Sequence, residues 1–360
     1  METQSNLLKT TARLVIATLI VIVMVVGKSF LVPLAWALLI ALASYRFLTH
    51  MEEKVKIPRT LINTLFLLSL LVVLIAIAWF FYIELNHIFN DLPGMMGTMS
   101  ERLEDISNSL KKYGIAIPDH IDKAYISEWA NQHNDLIMNT ISGIGLNLWN
   151  IILIMFYMFF ILYYRELIIH FYVEKFKREE RLALARDRFN KSLDLIRSYI
   201  FGLVILTLIS AAMNFVVFLV FGLKFALFWA VFLALLNLIP FIGNPIGLAI
   251  IMMFAIITKE NMLIPLLIFV ALFVMNFLQD NVIRPMIVGD KLKINAFAVF
   301  VAIIIGGMIW GVSGMILFIP IVGVAKIILE SRKESGVYAI LFSELPKNKK
   351  LPEITSSENE

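Results

Sequence analysis

The sequence predicts an all-α integral membrane protein, a multispan helical chain whose C-terminal half is an inverted repeat of a full helix plus a broken, re-entrant hairpin. Three observations predict it. Of 360 residues, 60% are hydrophobic and 16% charged, with a mean hydropathy of +0.86, whereas globular domains average roughly 45–50% apolar and about 25% charged. Apolar runs recur from Leu14 to Leu329. Two pairs of shorter apolar segments are each split by Gly and Pro, and each pair follows a full-length run, the pattern of an inverted-topology repeat around a transport site. The chain has no cysteine, which removes disulfides, Cys-ligated zinc and thiol nucleophiles.

Leu14 to Val26 and Phe30 to Leu48 read as two spans joined at Gly27 and Lys28 in a helical hairpin, the second carrying Pro33. No small-residue cleavage site follows the first run, so it is expected to be retained. Lys9 and Arg13 before the pair, with Arg46, Lys54, Lys56 and Arg59 after it, place the N-terminus on the cytoplasmic side by the positive-inside rule. Leu61 to Tyr82 is a third, outward span that closes an N-terminal scaffold, residues 1–85.

Residues 86–140 form the expected external helical insertion, rich in carboxylates. Met95, Met99, Leu103, Ile106 and Leu110 recur at steps of three and four, the period of an amphipathic helix. Pro118 ends that pattern, and Ser127 and Trp129 open a second helix that runs into the fourth span, Leu146 to Tyr164. Residues 141–198 combine this span with a basic connector, where Ile168, Phe171, Phe176, Phe189 and Leu193 mark an apolar stripe suited to helices lying along the membrane surface.

Residues 199–330 are the expected transport unit. Tyr199 to Phe221 is a full span. Phe225 to Ile239 and Ile246 to Thr258 follow, split at Pro240, Gly243, Asn244, Pro245 and Gly247, and neither reaches the roughly 20 residues that a span needs. Met262 to Leu278 is again full length. Ala296 to Ile305 and Val312 to Leu329 repeat the theme, split at Gly306, Gly307, Gly311, Ser313 and Gly314. Residues 331–360 are a polar tail whose Arg332, Lys333, Lys347, Lys349 and Lys350 put it in the cytoplasm. Read as re-entrant, the two hairpins enter from opposite sides; the alternative reading of Ala296 to Ile305 and Val312 to Leu329 is two ordinary, tilted spans.

Between the units lies Asn276 to Leu292, which concentrates Asn276, Gln279, Asp280, Asn281 and Arg284 at the end of a membrane helix that Pro285 and Gly289 are expected to stop. Ionisable groups at membrane depth mark a functional site by default. Asp280 has two readings, a proton- or cation-binding carboxylate or a helix anchor paired with Arg284 one turn on. Arg284 either binds substrate through its planar fork or snorkels to the interface. Asn237, Asn276, Asn281, Asn244, Gln279 and Ser313 supply amides and a hydroxyl suited to an oxygen-rich solute. Asn214, alone in an apolar span, reads as an interhelical hydrogen bond.

The stretches LLNLIPFIGNPIG at Leu235 to Gly247, NFLQDNVIRPMIVGDKL at Asn276 to Leu292 and GGMIWGVSGMILFIPIVGVAKIIL at Gly306 to Leu329 resemble those of the autoinducer-2 exporter family, which includes PerM-type permeases and some proteins described as sodium(lithium)/proton antiporters. By that resemblance Pro240 and Gly243 match the first break, Asn281, Pro285 and Gly289 the helix-ending motif, and Gly307, Gly311, Gly314 and Pro320 the second break. Asn244 stands where Gly or Pro is more usual, and Asn295-Ala296 replaces a hydrophobic-Pro pair.

The resemblance implies a multi-pass protein of the inner membrane, assembled as a homo-oligomer with a pentamer as the expected form. It implies a secondary transporter of a small polar solute or signalling molecule, with Na+ or H+ as candidate coupling ions, or alternatively a monovalent cation (Na+/Li+)/proton antiporter. An enzyme is not expected: there is no HExxH, no GxSxG and no GxxxxGK[ST]. Neither a cofactor, a metal nor a nucleic-acid partner is expected.

Overall fold

Every backbone polar group in hydrocarbon needs a partner within the protein, and a helix supplies one along most of its own length. The computed structural model describes residues 2–111, 148–175, 179–288, 294–330 and 340–343, and these are helical apart from short connections and an isolated antiparallel bridge between Ile294 and Ser343. By length and composition five of the described helices could cross a membrane, Ala296–Glu330 among them although it is bent back on itself, or six if the bent pair at Trp149–Lys175 is one span.

Helix α1 (Glu2–Val26) meets α2 (Lys28–Val55) at the single non-helical residue Gly27. The packed hairpin expected there does not form: the side chains described between Leu14 and Val26 stay exposed, Met24 excepted. Antiparallel helix pairs need a loop of about 2–5 residues, and a break of one residue turns the chain without supplying it. The break frees carbonyls at the end of α1, and that of Met24 accepts the indole N–H of Trp310 at 3.0 Å.

The third span and the first helix of the insertion are one 53-residue helix, α3 (Arg59–Lys111), which runs through residue 86 without interruption. Pro118, Ser127 and Trp129 lie outside the described residues. The fourth span is α4 (Leu148–Tyr163), and the chain then bends by 55° into α5 (Arg165–Lys175). A 42-residue helix, α6 (Glu179–Val220), carries the end of the connector directly into the fifth span.

Scaffold packing is apolar within and ionic at its rim. Ala37, Ala41 and Leu48 of α2 pack on Met158 and Leu162 of α4, and Leu39 and Ala43 pack on Leu195 and Ile196 of α6. At the foot of α2, Glu52 accepts from Arg165 and Arg59, and Arg59 also pairs with Glu166. Arg165 is buried and lies 5.4 Å from the ring centre of Tyr45. A buried guanidinium is retained where a carboxylate and a ring face offset its lost hydration.

The first hairpin is α7 (Ala226–Leu236) and α8 (Gly243–Thr258). Its arms pack against the glycines without room for a side chain: a Cβ on Gly243 would lie 1.7 Å from the Leu236 carbonyl oxygen, and one on Gly247 would lie 2.5 Å from a Leu233 methyl. Gly243 and Pro245 therefore sit in the first turn of α8 and not in the break, which is residues 237–242. Phe218, Phe228, Leu233, Ile251, Ile268 and Leu272 bury the hairpin between α6 and α9 (Leu263–Leu278).

Pro285 does not stop the helix after α9. A π turn, Gln279–Ile283, leads without a gap into α10 (Arg284–Val288), and Pro285 is inside that last segment. An α-helical ladder would drive the proline ring into the carbonyl four residues back. The wider π turn, with the Arg284 N–H donating to the Gln279 carbonyl, gives that carbonyl room. Gly289 lies outside the described residues.

The second hairpin is α11 (Ala296–Glu330), broken at Gly311 with φ 61° and ψ −143°. Gly306 and Gly314 would be about 12 Å apart in a straight helix. Instead a Cβ on Gly306 would lie 2.3 Å from the Gly314 carbonyl oxygen, and one on Gly314 would lie 1.9 Å from that of Gly306. The chain doubles back at Gly311, with Gly306 and Gly307 in one arm and Ser313 and Gly314 in the other. The first arm, residues 296–310, is about 22 Å long at 1.5 Å per residue, short of the ~30 Å hydrocarbon core.

The two hairpins are rooted at well-separated points along α6, one just past its C-terminal end and the other 16 residues in from Glu179. The first is rooted at Gly222, whose carbonyl accepts from Lys259 Nζ. The second is rooted at Leu195, whose methyls meet Gly323 beside Ile294. These roots are about 40 Å apart along the helix direction.

The glycines of the second hairpin act by two mechanisms that substitution separates. Gly311→Ala meets no atom within 4 Å, so its expected loss of about 1–3 kcal/mol comes from backbone strain alone. Gly306→Ala adds no strain in φ but forces the arms apart, and is expected to lower the detergent unfolding temperature at least as far. Wild-type thermal stability in Gly311→Ala would show that the turn is not held in this conformation.

Candidate functional site

A cavity of about 550 Å³ opens between the middle of α6, the break of the first hairpin, the α9–π turn–α10 run and the flanks of the second hairpin. Its polar groups come from three elements, each held by a specific local feature.

From α6, Tyr199, Thr207 and Ser210 fall on one stripe at helical spacing. The Tyr199 hydroxyl is buried and donates to the Ile316 carbonyl at 2.8 Å. Ile316 is four residues before Pro320, which lies inside the second arm and has no N–H to close the helical bond. Tyr199 thus supplies from α6 the donor that the proline lacks. Thr207 is turned back on the Leu203 carbonyl at 2.8 Å. Ser210 Oγ accepts from the side-chain amides of Asn237 at 3.2 Å and Asn214 at 3.4 Å. Asn214 is therefore linked within its own helix, and Ser210 is what joins it to the first hairpin.

From the first hairpin, Asn237, Pro240, Asn244 and Pro245 line the cavity, with Phe241 at the tip. Phe241 has φ 63° and its ring meets that of Phe300 at 5.8 Å. A bulky side chain in the left-handed region is strained, so the tip is held by its surroundings. Pro245 fits the first turn of α8, where an N–H would be unpaired in any case. Asn244 Oδ1 accepts from Asn276 Nδ2 at 3.0 Å, a direct bond between the hairpin tip and α9.

From the α9–α10 run, Asn276, Gln279, Asp280 and Arg284 all face the cavity. Gln279 is buried, and its side-chain amide makes no hydrogen bond among the described residues, which leaves both its donor and its acceptor for a solute. Asp280 and Arg284 pair at 3.0 Å, with 58% and 52% of their side chains exposed. The pairing expected of a helix anchor is formed, at the exposed edge of the cavity.

The structure thus brings together Asn237, Asn244, Asn276, Gln279, Asp280 and Arg284. It does not bring in Asn281, whose amide returns to the Phe277 carbonyl at 2.8 Å. Ser313 and the glycines of the second break lie in the other hairpin, away from the lining. Tyr199, Thr207, Ser210 and Phe241 were not anticipated; the regular spacing of Tyr199, Thr207, Ser210 and Asn214 in an otherwise apolar span was the available signal.

Helical spans around a largely apolar cavity that carries a few amide, hydroxyl and charged side chains, with two broken hairpins rooted at separate points along one helix, define a multipass membrane transporter. The chain belongs to the AI-2E family: the family model described as AI-2E family transporter matches residues 14–333. It is 23% identical over 355 residues to a Haemophilus influenzae protein named "Putative transport protein", covering 96% of this chain and 99% of that one. It is 22% identical over 321 residues to the AI-2 transport protein TqsA of Escherichia coli K12, covering 89% and 91%. A third relative, the E. coli K12 protein named "Putative transport protein YhhT", is 31% identical over 131 residues, 36% of this chain and 37% of that one.

The Tyr199 contact is testable by a double-mutant cycle. Tyr199→Phe orphans a buried carbonyl and is expected to cost about 1–3 kcal/mol in unfolding free energy. In a Pro320→Ala background the helix regains its own donor, and the same change is expected to cost less than half as much. Equal losses in both backgrounds would disprove the substitution of Tyr199 for the missing N–H.

Proposed function

We propose that this chain is a secondary transporter that carries a small polar solute or signalling molecule across the inner membrane through this cavity, by movement of the two hairpins against the N-terminal scaffold. One observation carries the reading: a cavity between the two hairpins presents the buried, unpaired Gln279 amide beside amide and hydroxyl side chains. Such groups match a neutral solute rich in oxygen, because buried amides reward a partner and penalise its absence. The mouth carries one charge of each sign, joined as a pair, so it offers no net charge to an ionic substrate. AI-2, named in the E. coli relative, is the first candidate cargo.

The charge pattern supports cytoplasmic N- and C-termini. Broad apolar faces on α1, α3 and α9 suit lipid and neighbouring copies, consistent with a homo-oligomer, with a pentamer as the working form. We assign the chain no catalytic chemistry.

A monovalent cation/proton antiporter using Asp280 is the second reading, since Asp280 is the carboxylate that faces the cavity. Its pairing and exposure favour the solute reading. Proteoliposome uptake under sodium and proton gradients separates the two. Gln279→Leu is expected to cut solute uptake about 5–10-fold, the loss of one buried hydrogen bond, and Asp280→Asn to leave it within about twofold. Uptake unchanged in Gln279→Leu would overturn the site assignment. Abolition of ion-dependent proton flux by Asp280→Asn would establish antiport instead.

A further inference from the structure

The second hairpin has a fastening at its base. Asn295 stands just before α11, and its Oδ1 accepts the Ala298 N–H at 2.7 Å, an N-cap of the first arm. The same side chain donates through Nδ2 to the carbonyls of Leu341 at 2.6 Å and Ser343 at 3.2 Å. Its backbone N–H donates to the Phe342 carbonyl at 2.9 Å. One asparagine therefore holds three consecutive carbonyls of the C-terminal segment, while the Ile340 carbonyl is closed by the Ser343 N–H at 3.0 Å. Next to it, Ile294 forms the bridge to Ser343, and its buried side chain reaches Gly323 in the second arm.

We propose that residues 340–343 are a releasable strap that ties the end of the second arm back to the start of the first and restrains the base of the hairpin. The second arm ends at Glu330 and the first begins at Ala296, so the contact joins chain that follows the second arm to the start of the first. Asn295 makes most of the docking contacts: Ile340 and Leu341 are 69% and 70% exposed, and of the strap's apolar side chains only Phe342 is half-buried. Hydrogen bonds at a wet surface are individually weak, and a few of them make a restraint that conformational change can undo. Restraint of transport by the strap rests on the proposed hairpin movement; the strap itself does not.

Asn295→Asp tests this cleanly. A carboxylate keeps the cap and suits a helix N-terminus, but it loses the amide donors and sets a negative charge against the strap carbonyls. Hydrogen exchange by mass spectrometry, on full-length protein in nanodiscs, is expected to rise at least tenfold at the amides of Asn295 and Ser343. It is expected to rise also at the bases of both arms, with the arms near Gly311 unchanged. Deletion of residues 340–343 should reproduce the effect at the arms if Asn295→Asp impairs folding. Unchanged exchange at Asn295, or a released segment with unchanged arm bases, would overturn the strap. Solute uptake rising in both variants links the strap to transport; faster exchange at the arm bases in a protein that moves no solute would keep the strap and sink the transport reading.

Discussion

The structure depends on how breaks in apolar helices are closed. A helix interrupted away from water leaves backbone donors and acceptors that nothing in lipid satisfies. Here several interruptions are met by a side chain from another part of the chain. Trp310 takes the Met24 carbonyl released at Gly27 and Tyr199 takes the Ile316 carbonyl that Pro320 leaves open, while the adjacent Asn295 caps the first arm of the second hairpin locally and also reaches the C-terminal segment. Each such bond also fixes a neighbour: the tip region of the second hairpin to α1, its second arm to α6, its base to the C-terminal segment. Closing the breaks and assembling the tertiary structure are thus one process.

Close backbone contact inside each hairpin has a different cause from the bonds that hold it in place. Gly243 against Leu236 and Gly306 against Gly314 leave no volume for a side chain, so each hairpin is a thin, self-packed unit. Thin units rooted at separate points along α6 leave the space between them for the cavity. Asn237, Asn244 and Asn276 then serve two purposes. They join the hairpin tip to α6 and α9 through amide hydrogen bonds, and they give that space its polar lining.

Much of this was legible in the sequence because Gly and Pro report local geometry directly. The two split segments announced two hairpins, and Asn237, Asn244, Asn276, Gln279, Asp280 and Arg284 do meet. Pro285 misled because a stop and a π turn are equally good responses to a proline, and the choice depends on whether neighbours fill the widened turn. The α1–α2 pair misled because two apolar runs with a glycine between them carry no record of the loop length needed for antiparallel packing. Asn244 and Asn295, which depart from the family pattern, turned out to have partners distant in sequence, Asn276 and the residues 341–343.

The sequence by itself determined the class of protein: its hydropathy demands a bilayer, its positive charges suggest sides, and its glycines and prolines mark where helices must break. Only the tertiary structure decided what Asn276 to Leu292 is. The described part of that stretch is a helix carried through Pro285 by a π turn. Its buried Gln279 faces the cavity while its Asp280–Arg284 pair remains at the mouth. Local residue types set which conformations are affordable, but depth and partnership are properties of the packed whole, because a side chain is buried by residues that its own neighbours in sequence do not specify.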